Sequence, residues 1–156
     1  MALELDDIDL QLLEALGDNA RLSYRELGDL VGLSSPAAAD RVRRLEQRGV
    51  IVGYGAQIDY GVLGFPIQCI INLNTNGGRG ENLDELLHDM PEVVQADRVT
   101  GSESHVVRAV VQTTAHLEEL LNDMWVVSDS VTNIVTSSPV PHRPMVLRRA
   151  MPRSSN

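Results

Sequence analysis

Arginine side chains are the groups of this sequence whose clustering suggests a specific chemistry. All 13 basic residues are arginine, and six of them fall between residues 21 and 48, where only four acidic residues occur. That stretch is positive although the whole chain has a net charge of -9. Because clustered guanidinium groups bind the phosphate backbone of nucleic acids, we expect an anionic partner to bind here.

A second group of polar residues lies in a turn between two β-rich stretches. Ser102, Glu103, Ser104 and His105 follow Gly101 there. The backbone N–H groups of such a turn can receive a carboxylate, so a small anionic or zwitterionic ligand is one interpretation. The alternative is a plain turn in which the glycine only permits a positive φ.

Patterns typical of enzymes and metal sites are missing from the sequence. It has no nucleophile elbow and no Gly-rich phosphate loop, and its four histidines, at positions 88, 105, 116 and 142, share no metal-ligand spacing. We expect these histidines on the solvated surface. Cys69 is the single cysteine, which excludes an intrachain disulfide and predicts a small buried side chain. The sequence predicts no enzyme, no cofactor and no metal.

Length and composition indicate a folded protein outside membranes. The 156 residues are 43% hydrophobic and 22% charged, and they suffice for two very small domains that oligomerisation would stabilise. No apolar run approaches the roughly 18 residues that cross a bilayer. The first residues are acidic where a signal peptide is basic. We expect a cytoplasmic protein without a membrane partner.

Three helices are predicted in the first third of the chain, each from a capping residue and an apolar stripe. Residues 32–34 form a tight turn between the second and third helices, which gives a helix-turn-helix. In the third helix Ala38, Val42 and Leu45 face inward, so its opposite face can enter the major groove of double-stranded DNA. The expected caps are Asp6 or Asp7, Ser23 with Glu26, and Ser34 or Ser35, and the expected helix ends are Gly17, Val31 and Gly49.

The outer face of the third helix carries Pro36, Asp40, Arg43 and Gln47. In this geometry Arg43 can fork onto guanine, and the arginines nearer the C-terminus suit phosphates. The alternative is an ordinary solvated helix face held by ion pairs. Arg41 lies closer to the inner face and suits a structural salt bridge as well as a phosphate. The predicted DNA-contact residues are Ser23, Arg25, Ser34, Ser35, Pro36, Ala37, Ala39, Asp40, Arg43, Arg44 and Arg48.

The second half of the chain contains an internal repeat. Leu83–Met90 recurs 34 residues later as Leu117–Met124, and each amphipathic copy lies between two β-rich stretches. A doubled βαβ unit is typical of an α+β ferredoxin-like βαββαβ sandwich with both helices on one face of the sheet. Because both sides of the strands carry apolar residues, we expect a second copy to cover the other face, as a homodimer. The β-rich stretches are Ile67–Asn74, Val93–Val99, His105–Gln112 and Val131–Thr136.

Four segments are expected along the chain. The linking strand is inferred from the loose alternation of Val50–Asp59, and its residues from Tyr54 to Ile58 are expected to join the homodimer. The segments are a winged-helix-like helix-turn-helix domain at 1–52, the linking strand at 53–64, the ferredoxin-like domain at 65–138 and a C-terminal arm at 139–156.

The order and spacing of these motifs resemble the Lrp/AsnC family of transcriptional regulators. The resemblance implies dimers that assemble into larger rings, commonly octamers, with amino acids bound at the junctions between dimers. It is carried by Leu5–Asp9, Val31–Ser34, Arg41–Glu46, Gly49–Tyr54 and Val99–Gly101. It also adds two serines of a neighbouring subunit to the effector site, whose predicted residues are Val99, Thr100, Gly101, Ser102, Glu103, Ser104, His105, Ser137 and Ser138.

The sequence departs from the family pattern in two places. Ser104 and His105 stand where the family usually has Asp and an aromatic residue, so the carboxylate that would pair with an amino-acid ammonium group is missing. The neighbouring Glu103 could replace it. Gly28 stands where helix-turn-helix units often carry Ala, which weakens the helix but keeps a small volume at the helix crossing.

Together these observations predict a sequence-specific DNA-binding transcriptional regulator whose DNA binding or assembly responds to a small effector, an amino acid by resemblance. Two alternatives stay open. One is an enzyme like the haem-biosynthesis decarboxylases that resemble this family in both halves, and the other is a ligand-binding module without DNA binding. A tetrapyrrole-binding enzyme needs cationic side chains in its second domain, where residues 65–138 contain only Arg79, Arg98 and Arg108 as basic residues.

Overall fold

Two compact units make up the chain. The computed structural model describes residues 5–75 and 82–147. The first unit contains the residues up to Gln57 together with the segment that starts at Val140, and the second unit runs from Ile58 to Pro139. Each unit has its own hydrophobic core. The segment after Pro139 thus belongs with the N-terminal unit, although it follows the other unit in the sequence.

The first unit is built from three capped helices. Asp6, Ser23 and Ser34 are the N-caps, and each side chain accepts a hydrogen bond from the backbone N–H three residues later. At the first two helices the side chain of that later residue also accepts a hydrogen bond from the backbone N–H of the cap, which completes a capping box. The helices are α1 (Asp7–Asp18), α2 (Tyr24–Val31) and α3 (Ser35–Gln47).

The helix ends differ from the expected ones at a single point. α1 continues past Gly17 because Asn19 caps it, its N–H donating to the carbonyl of Ala15 at 2.9 Å. α2 ends at Gly32 and α3 just before Gly49, and both glycines have a positive φ, of 72° and 69°. The end of α2 at Val31 and the glycine stop at Gly49 agree with the sequence-based prediction.

The core of the first unit is small, and one glycine sets its tightest contact. Leu12, Leu27 and Val42 are buried between the three helices. At the turn after α2, the N–H of Leu33 donates to the carbonyl of Gly28 at 2.8 Å. A Cβ added to Gly28 would lie 2.5 Å from the Leu33 carbonyl oxygen, closer than any real contact. This backbone approach explains why the position holds glycine and not alanine.

The predicted strand at Val50–Asp59 is wrong for the single chain. None of these residues pairs with another strand in the part of the chain that the structure describes. Val52 is 95% exposed, and Tyr54 and Ile58 are about half exposed. A strand needs a neighbour to hydrogen-bond, so alternation of residue types alone does not create one here.

The second unit is the four-stranded antiparallel sheet with two helices that the repeat predicted. Across the sheet the strands follow in the order Val93–Arg98, His105–Val111, Ile67–Asn74 and Asp129–Ile134, so the first strand of the unit lies between the third and the fourth. None of the helices in the described residues is long and apolar enough to cross a membrane. The elements are β1 (Ile67–Asn74), α4 (Leu83–Asp89), β2 (Val93–Arg98), β3 (His105–Val111), α5 (Thr114–Trp125) and β4 (Asp129–Ile134).

The helices cover one face of this sheet. Cys69 lies in that core and is fully buried, as predicted, and burial raises the pKa of its thiol. The strands' inward side chains pack against one apolar stripe from each helix. The buried set is Cys69, Ile71, Leu73, Leu83, Leu87, Met90, Val107, Ala109, Val111, Leu117, Leu120 and Met124.

The other face of the sheet is mixed and not uniformly apolar. In the β1–β3 register Gln68 pairs with Val110, Ile70 with Arg108, and Asn72 with Val106, all pointing away from the helices. Val110 is nevertheless buried, and it lines an apolar cavity of about 380 Å³ whose walls include Tyr60, Leu63 and Phe65. The segment before β1 therefore covers one end of this face, and the rest stays open.

Gly28→Ala is expected to destabilise the first unit by about 1–3 kcal/mol, because the added methyl group meets a fixed carbonyl. That loss exceeds the roughly 1 kcal/mol by which alanine favours a helix over glycine. Urea unfolding followed by circular dichroism measures it. Gly53→Ala is the matched control, since no atom lies within 4 Å of the added Cβ there. A midpoint for Gly28→Ala at or above that of the parent would contradict this account.

Candidate DNA-binding surface and effector turn

α3 is held in place by an arginine that the sequence left undecided. The Arg41 guanidinium lies 2.6 Å from a carboxylate oxygen of Asp6 and 2.8 Å from one of Asp9. Its side chain is 22% exposed and that of Asp9 only 11%. These contacts identify Arg41 as the structural salt bridge, joining the start of α1 to the middle of α3.

The charges of this cluster shift one another's proton affinity. Burial alone would raise the pKa of Asp6, but the hydrogen bond from the Asp9 N–H, the hydrogen bond from Arg41 and the guanidinium charge together lower it. The two carboxylates raise the pKa of Arg41, chiefly through the hydrogen bonds that they accept. The ion pairs are therefore formed throughout the neutral range.

The outer face of α3 is open, as its amphipathic pattern predicted. Ser35, Pro36, Arg44 and Gln47 are exposed, and the small residues Ala37 and Ala39 are half-buried beside them. This face combines cationic groups with small apolar ones, the mixture that base edges and thymine methyls accept.

Arg43 lies on this open face with a partner of its own. Its guanidinium is 2.8 Å from a carboxylate oxygen of Asp40, one helical turn earlier. Both side chains are exposed, at 59% and 72%, so the pair is screened by water and weakly held. The ion-pair interpretation is correct for the isolated chain, and the pair leaves Arg43 able to exchange partners.

Two predicted DNA-contact residues, Ser23 and Ser34, cap helices. The Ser23 hydroxyl donates to Glu26 at 2.7 Å, which with the Ser23 N–H lowers the pKa of that exposed carboxyl. The Ser34 hydroxyl accepts from the N–H of Ala37 at 3.4 Å. Both serines fix helix N-termini, and Arg25 is exposed in the first turn of α2.

The segment after α3 also touches that helix. The Tyr54 hydroxyl donates to a carboxylate oxygen of Glu46 at 2.7 Å. Desolvation, this hydrogen bond and the Glu46 charge raise the pKa of Tyr54 to about 12. No local signal in the sequence pointed to this contact.

The predicted effector turn follows β2 and is fastened to the end of β1. Gly101 has φ +129°, a backbone conformation that favours glycine and that both interpretations of the turn allow. The N–H of Ser104 donates to the carbonyl of Leu73 at 2.8 Å, and the Asn74 amide donates to the carbonyl of Ser102 at 2.9 Å. In the described residues, the N–H groups at positions 101, 102 and 103 donate to no other group. These three are the donors that the turn offers to a ligand.

Within one chain, the polar groups of Ser104 and His105 are hydrogen-bonded to the protein itself. The Ser104 hydroxyl donates to the Leu73 carbonyl at 3.0 Å, so this serine is fully engaged with the sheet. His105 is only 8% exposed, which contradicts its predicted place on the solvated surface. Its Nε2 lies 3.0 Å from a carboxylate oxygen of Asp84, and its Nδ1 lies 2.9 Å from the Ser104 hydroxyl.

Asp84, in the first turn of α4, binds an arginine as well as His105. The Arg98 guanidinium, at the end of β2, holds both of its carboxylate oxygens. Arg98 and then His105 lower the pKa of Asp84, and Asp84 raises the pKa of Arg98. These three side chains line a cavity of about 440 Å³ between α4 and β2. Nothing in the spacing of residues 84, 98 and 105 marks this cluster.

Ser137 and Ser138 lie far from the turn within one chain. β4 runs antiparallel to β1, with Asp129 beside Asn74 and Ile134 beside Cys69. The two serines, both exposed, therefore follow the end of β4 that lies near the start of β1, whereas the turn lies near its end. A single chain does not bring the two parts of the predicted site together.

Asp6→Asn is expected to remove about 0.5–1 kcal/mol of stability at neutral pH, a value already reduced for the half-exposed carboxylate. Because folding lowers the pKa of Asp6, its contribution is complete above its ordinary value of 3.8 and is lost as the pH falls through the folded value. The stability difference between parent and variant should therefore shrink below about pH 4. Chemical unfolding at several pH values measures it, and a difference that stays constant into acid would refute the role given to Asp6.

Two families and several solved structures match the chain. Residues 5–52 match the winged helix-turn-helix DNA-binding family, and residues 68–145 match the Lrp/AsnC ligand binding domain. The HTH-type transcriptional regulator YezC of Bacillus subtilis is 39% identical over 134 residues, which cover 86% of this chain and 95% of that protein.

Solved structures show the same fold. Bacillus subtilis LrpC superposes with a TM-score of 0.83 at 29% identity, covering 87% of this chain and 97% of that one. The regulator NMB0573 of Neisseria meningitidis, solved as a complex with L-Met, gives 0.82 at 23% identity and covers 90% and 94%. With helix-turn-helix and ligand-binding families matched over most of its length, the chain belongs to the Lrp/AsnC family of transcriptional regulators.

Proposed function

We propose that α3 lies in the major groove of operator DNA and reads bases with Pro36, Asp40 and Arg43. The observation that carries this proposal is the difference in environment among the arginines of α3. Arg41 is bound by two carboxylates and anchors the helix, whereas Arg43 and Arg44 remain exposed. An anchored helix with exposed cations on its outer face has the geometry that groove recognition needs.

The predicted contacts divide into base readers and phosphate binders. Arg43 can leave its exposed ion pair with Asp40 for the O6 and N7 atoms of guanine, because a surface pair contributes only about 0–1 kcal/mol. Arg25 and Arg44 suit phosphates. Ser23 and Ser34 act through the helix N-termini that they cap, where backbone N–H groups favour a phosphate.

We also propose a homodimer that assembles into a larger ring. The open part of the mixed sheet face includes Val131, which is 60% exposed, and Val52 and Tyr54 are exposed in the segment after α3. Contact with a second copy would bury these side chains and give the segment the strand partner that one chain lacks.

The effector proposal is a small amino acid bound between subunits. Its carboxylate would accept hydrogen bonds from the N–H groups of residues 101–103, and the Glu103 carboxylate would take its ammonium group. Ser137 and Ser138 would come from a neighbouring subunit, since those of the same chain lie at the other end of the sheet. The complex of the Neisseria regulator with L-Met shows that this fold can hold an amino acid.

A regulator fits the second unit better than a tetrapyrrole-binding enzyme does. Of its three arginines, Arg98 is neutralised by Asp84 and Arg108 lies on the opposite face of the sheet from the helices. Arg79 lies outside the described residues. The two described cations thus share no cavity that could hold several carboxylates.

Arg43→Ala is expected to weaken binding to the preferred operator by about 1–3 kcal/mol, and to weaken binding to unrelated DNA much less. Arg44→Ala, on the same helix and equally exposed, is the control, and it should weaken both alike because a phosphate carries no sequence information. Fluorescence anisotropy with the DNA that flanks the gene and with a random duplex separates the two. Equal small losses in both variants, with the fold intact by circular dichroism, would show that another face meets the DNA.

Calorimetry with the twenty amino acids should identify a ligand that shifts either DNA affinity or sedimentation. Glu103→Gln is expected to weaken the binding of this ligand at least tenfold, because a hydrogen bond between charged groups is lost, and to leave DNA binding unchanged. Glu118→Gln, which makes the same charge change at an exposed position of α5, is the control. The effector assignment fails if no amino acid binds or if Glu103→Gln binds as the parent does.

A single-chain mass in sedimentation would refute the dimer.

A further inference from the structure

One carboxylate of α4 binds both ends of the predicted effector turn. Arg98 is the last residue of β2 and His105 is the first residue of β3, and residues 99–104 between them form the turn. The Arg98 guanidinium donates to both carboxylate oxygens of Asp84, and the Nε2 of His105 lies 3.0 Å from one of them. The two side chains reach the same carboxylate because Arg98 and His105 are opposed partners in the β2–β3 ladder.

We call Asp84, Arg98 and His105 the Asp84 clamp, and its contact with His105 is the firmer half. Asp84 and Arg98 are both more than half exposed, so their ion pair alone is screened by water and weak. His105 is buried, and a buried imidazole needs hydrogen-bond partners because an unpaired polar group inside a protein costs free energy. Since a carboxylate only accepts hydrogen bonds, the Nε2 of His105 carries the hydrogen that Asp84 accepts.

The other ring nitrogen of His105 connects the clamp to the sheet. Nδ1 lies 2.9 Å from the Ser104 hydroxyl, whose oxygen lies 3.0 Å from the carbonyl oxygen of Leu73. The Ser104 N–H donates to the same carbonyl at 2.8 Å. A continuous chain of hydrogen bonds therefore runs from β1 through Ser104 and His105 to α4.

The donors that the turn offers to a ligand lie between the two clamped ends. They are the N–H groups at positions 101–103, and the Val99 N–H closes the base of the turn by donating to the Ser104 carbonyl at 3.0 Å. Fixing both ends of so short a segment limits the directions in which these N–H groups can point. A ligand that meets donors already oriented loses less conformational entropy on binding.

We propose that Asp84 is a positioning residue for effector binding. It does not bind the ligand itself, but it holds both ends of the turn against α4, so that the N–H groups of residues 101–103 are oriented for a carboxylate. The inference rests on the effector proposal above and adds to it a residue outside the turn. Asp84 also occupies the Arg98 guanidinium, which leaves the carboxylate of the ligand to the backbone donors.

Asp84→Asn tests the clamp with a side chain of nearly the same size. The amide has one accepting oxygen where the carboxylate has two, and its hydrogen bonds lack the assistance of a negative charge. Calorimetry with each of the twenty amino acids should show binding weakened about two- to tenfold, the range expected when one contact that pre-organises a site is lost. DNA binding measured without amino acids should stay that of the parent.

Two further variants at the start of α4 control for charge and for folding. Glu85→Gln removes the same charge from the same helical turn at an exposed position, and it should bind the amino acid as the parent does. Asp84→Glu keeps a carboxylate and should restore most of the affinity that Asp84→Asn loses. A purely helix-stabilising role of the charge would instead make Glu85→Gln and Asp84→Asn alike, which would refute the clamp.

Hydrogen–deuterium exchange observes the clamp without any ligand. The Val99 and Ser104 N–H groups are hydrogen-bonded at the base of the turn, so their exchange reports how often the turn opens. Peptides that contain residues 99–105 should exchange faster in Asp84→Asn than in the parent, and at the parent rate in Glu85→Gln. Peptides from β1 and α5 should exchange as in the parent, which separates a released turn from a damaged fold.

Arg98→Gln removes the exposed arm of the clamp and keeps the buried one, so it tests the proposal even if Asp84→Asn does not fold. It should speed exchange at residues 99–105 and weaken amino-acid binding in the same direction as Asp84→Asn. Parental exchange and parental affinity in Arg98→Gln would overturn the proposal.

The direction of the affinity change decides between Asp84 as a positioning residue and Asp84 as a competitor of the ligand. Tighter amino-acid binding by Asp84→Asn would mean that the ligand and Asp84 compete for Arg98, and it would overturn the proposal, as would unchanged affinity. A parent that binds none of the twenty amino acids would refute the effector proposal instead. The exchange at residues 99–105, recorded without ligand, would still show whether Asp84 holds the turn.

Discussion

The ion-pair cluster of Arg41 with Asp6 and Asp9 is the contact on which the DNA-binding unit depends. It joins α1 to α3 through residues that are more than thirty positions apart in the sequence, beside the small apolar core of the unit. Removing the arginine would leave two carboxylates side by side, which is worse than replacing the whole cluster with apolar groups. The cluster also explains why one arginine of α3 points inward while its neighbours stay exposed.

Local signals made most of the fold predictable. Caps and left-handed glycines act within four residues, so the helix bounds could be read from the sequence, and the repeated helix motif gave the βαββαβ order. The exception at Gly17 has a physical reason: an added Cβ would lie 2.9 Å from the Cβ of Pro144, so this glycine is required by the C-terminal arm and not by the helix end. The strand predicted at Val50–Asp59 does not form for a different physical reason. A strand needs a partner to hydrogen-bond, and the described residues of the single chain supply none.

The candidate sites were predictable in their location but not in their chemistry. The outer face of α3 followed from its period, whereas the choice for Arg41 required knowing which acids lie opposite. His105 shows the same limit more sharply. A histidine in place of an aromatic residue fills a buried position only if its nitrogens find partners, and Asp84 and Ser104 supply them from elsewhere in the chain. Pairs of this kind are set by the sheet register and have no signature in spacing.

The weak pair between Arg43 and Asp40 has a consequence for how the protein searches DNA. At a site without a guanine beside it, Arg43 would keep its carboxylate partner and make no base contact. If α3 reads bases as proposed, Arg43 would move to guanine at a matching site, and the released Asp40 could accept a hydrogen bond from the amino group of cytosine. The carboxylate thus acts as an internal competitor. Any DNA group that binds Arg43, whether a base or a phosphate, would have to displace this carboxylate, which costs about 0–1 kcal/mol.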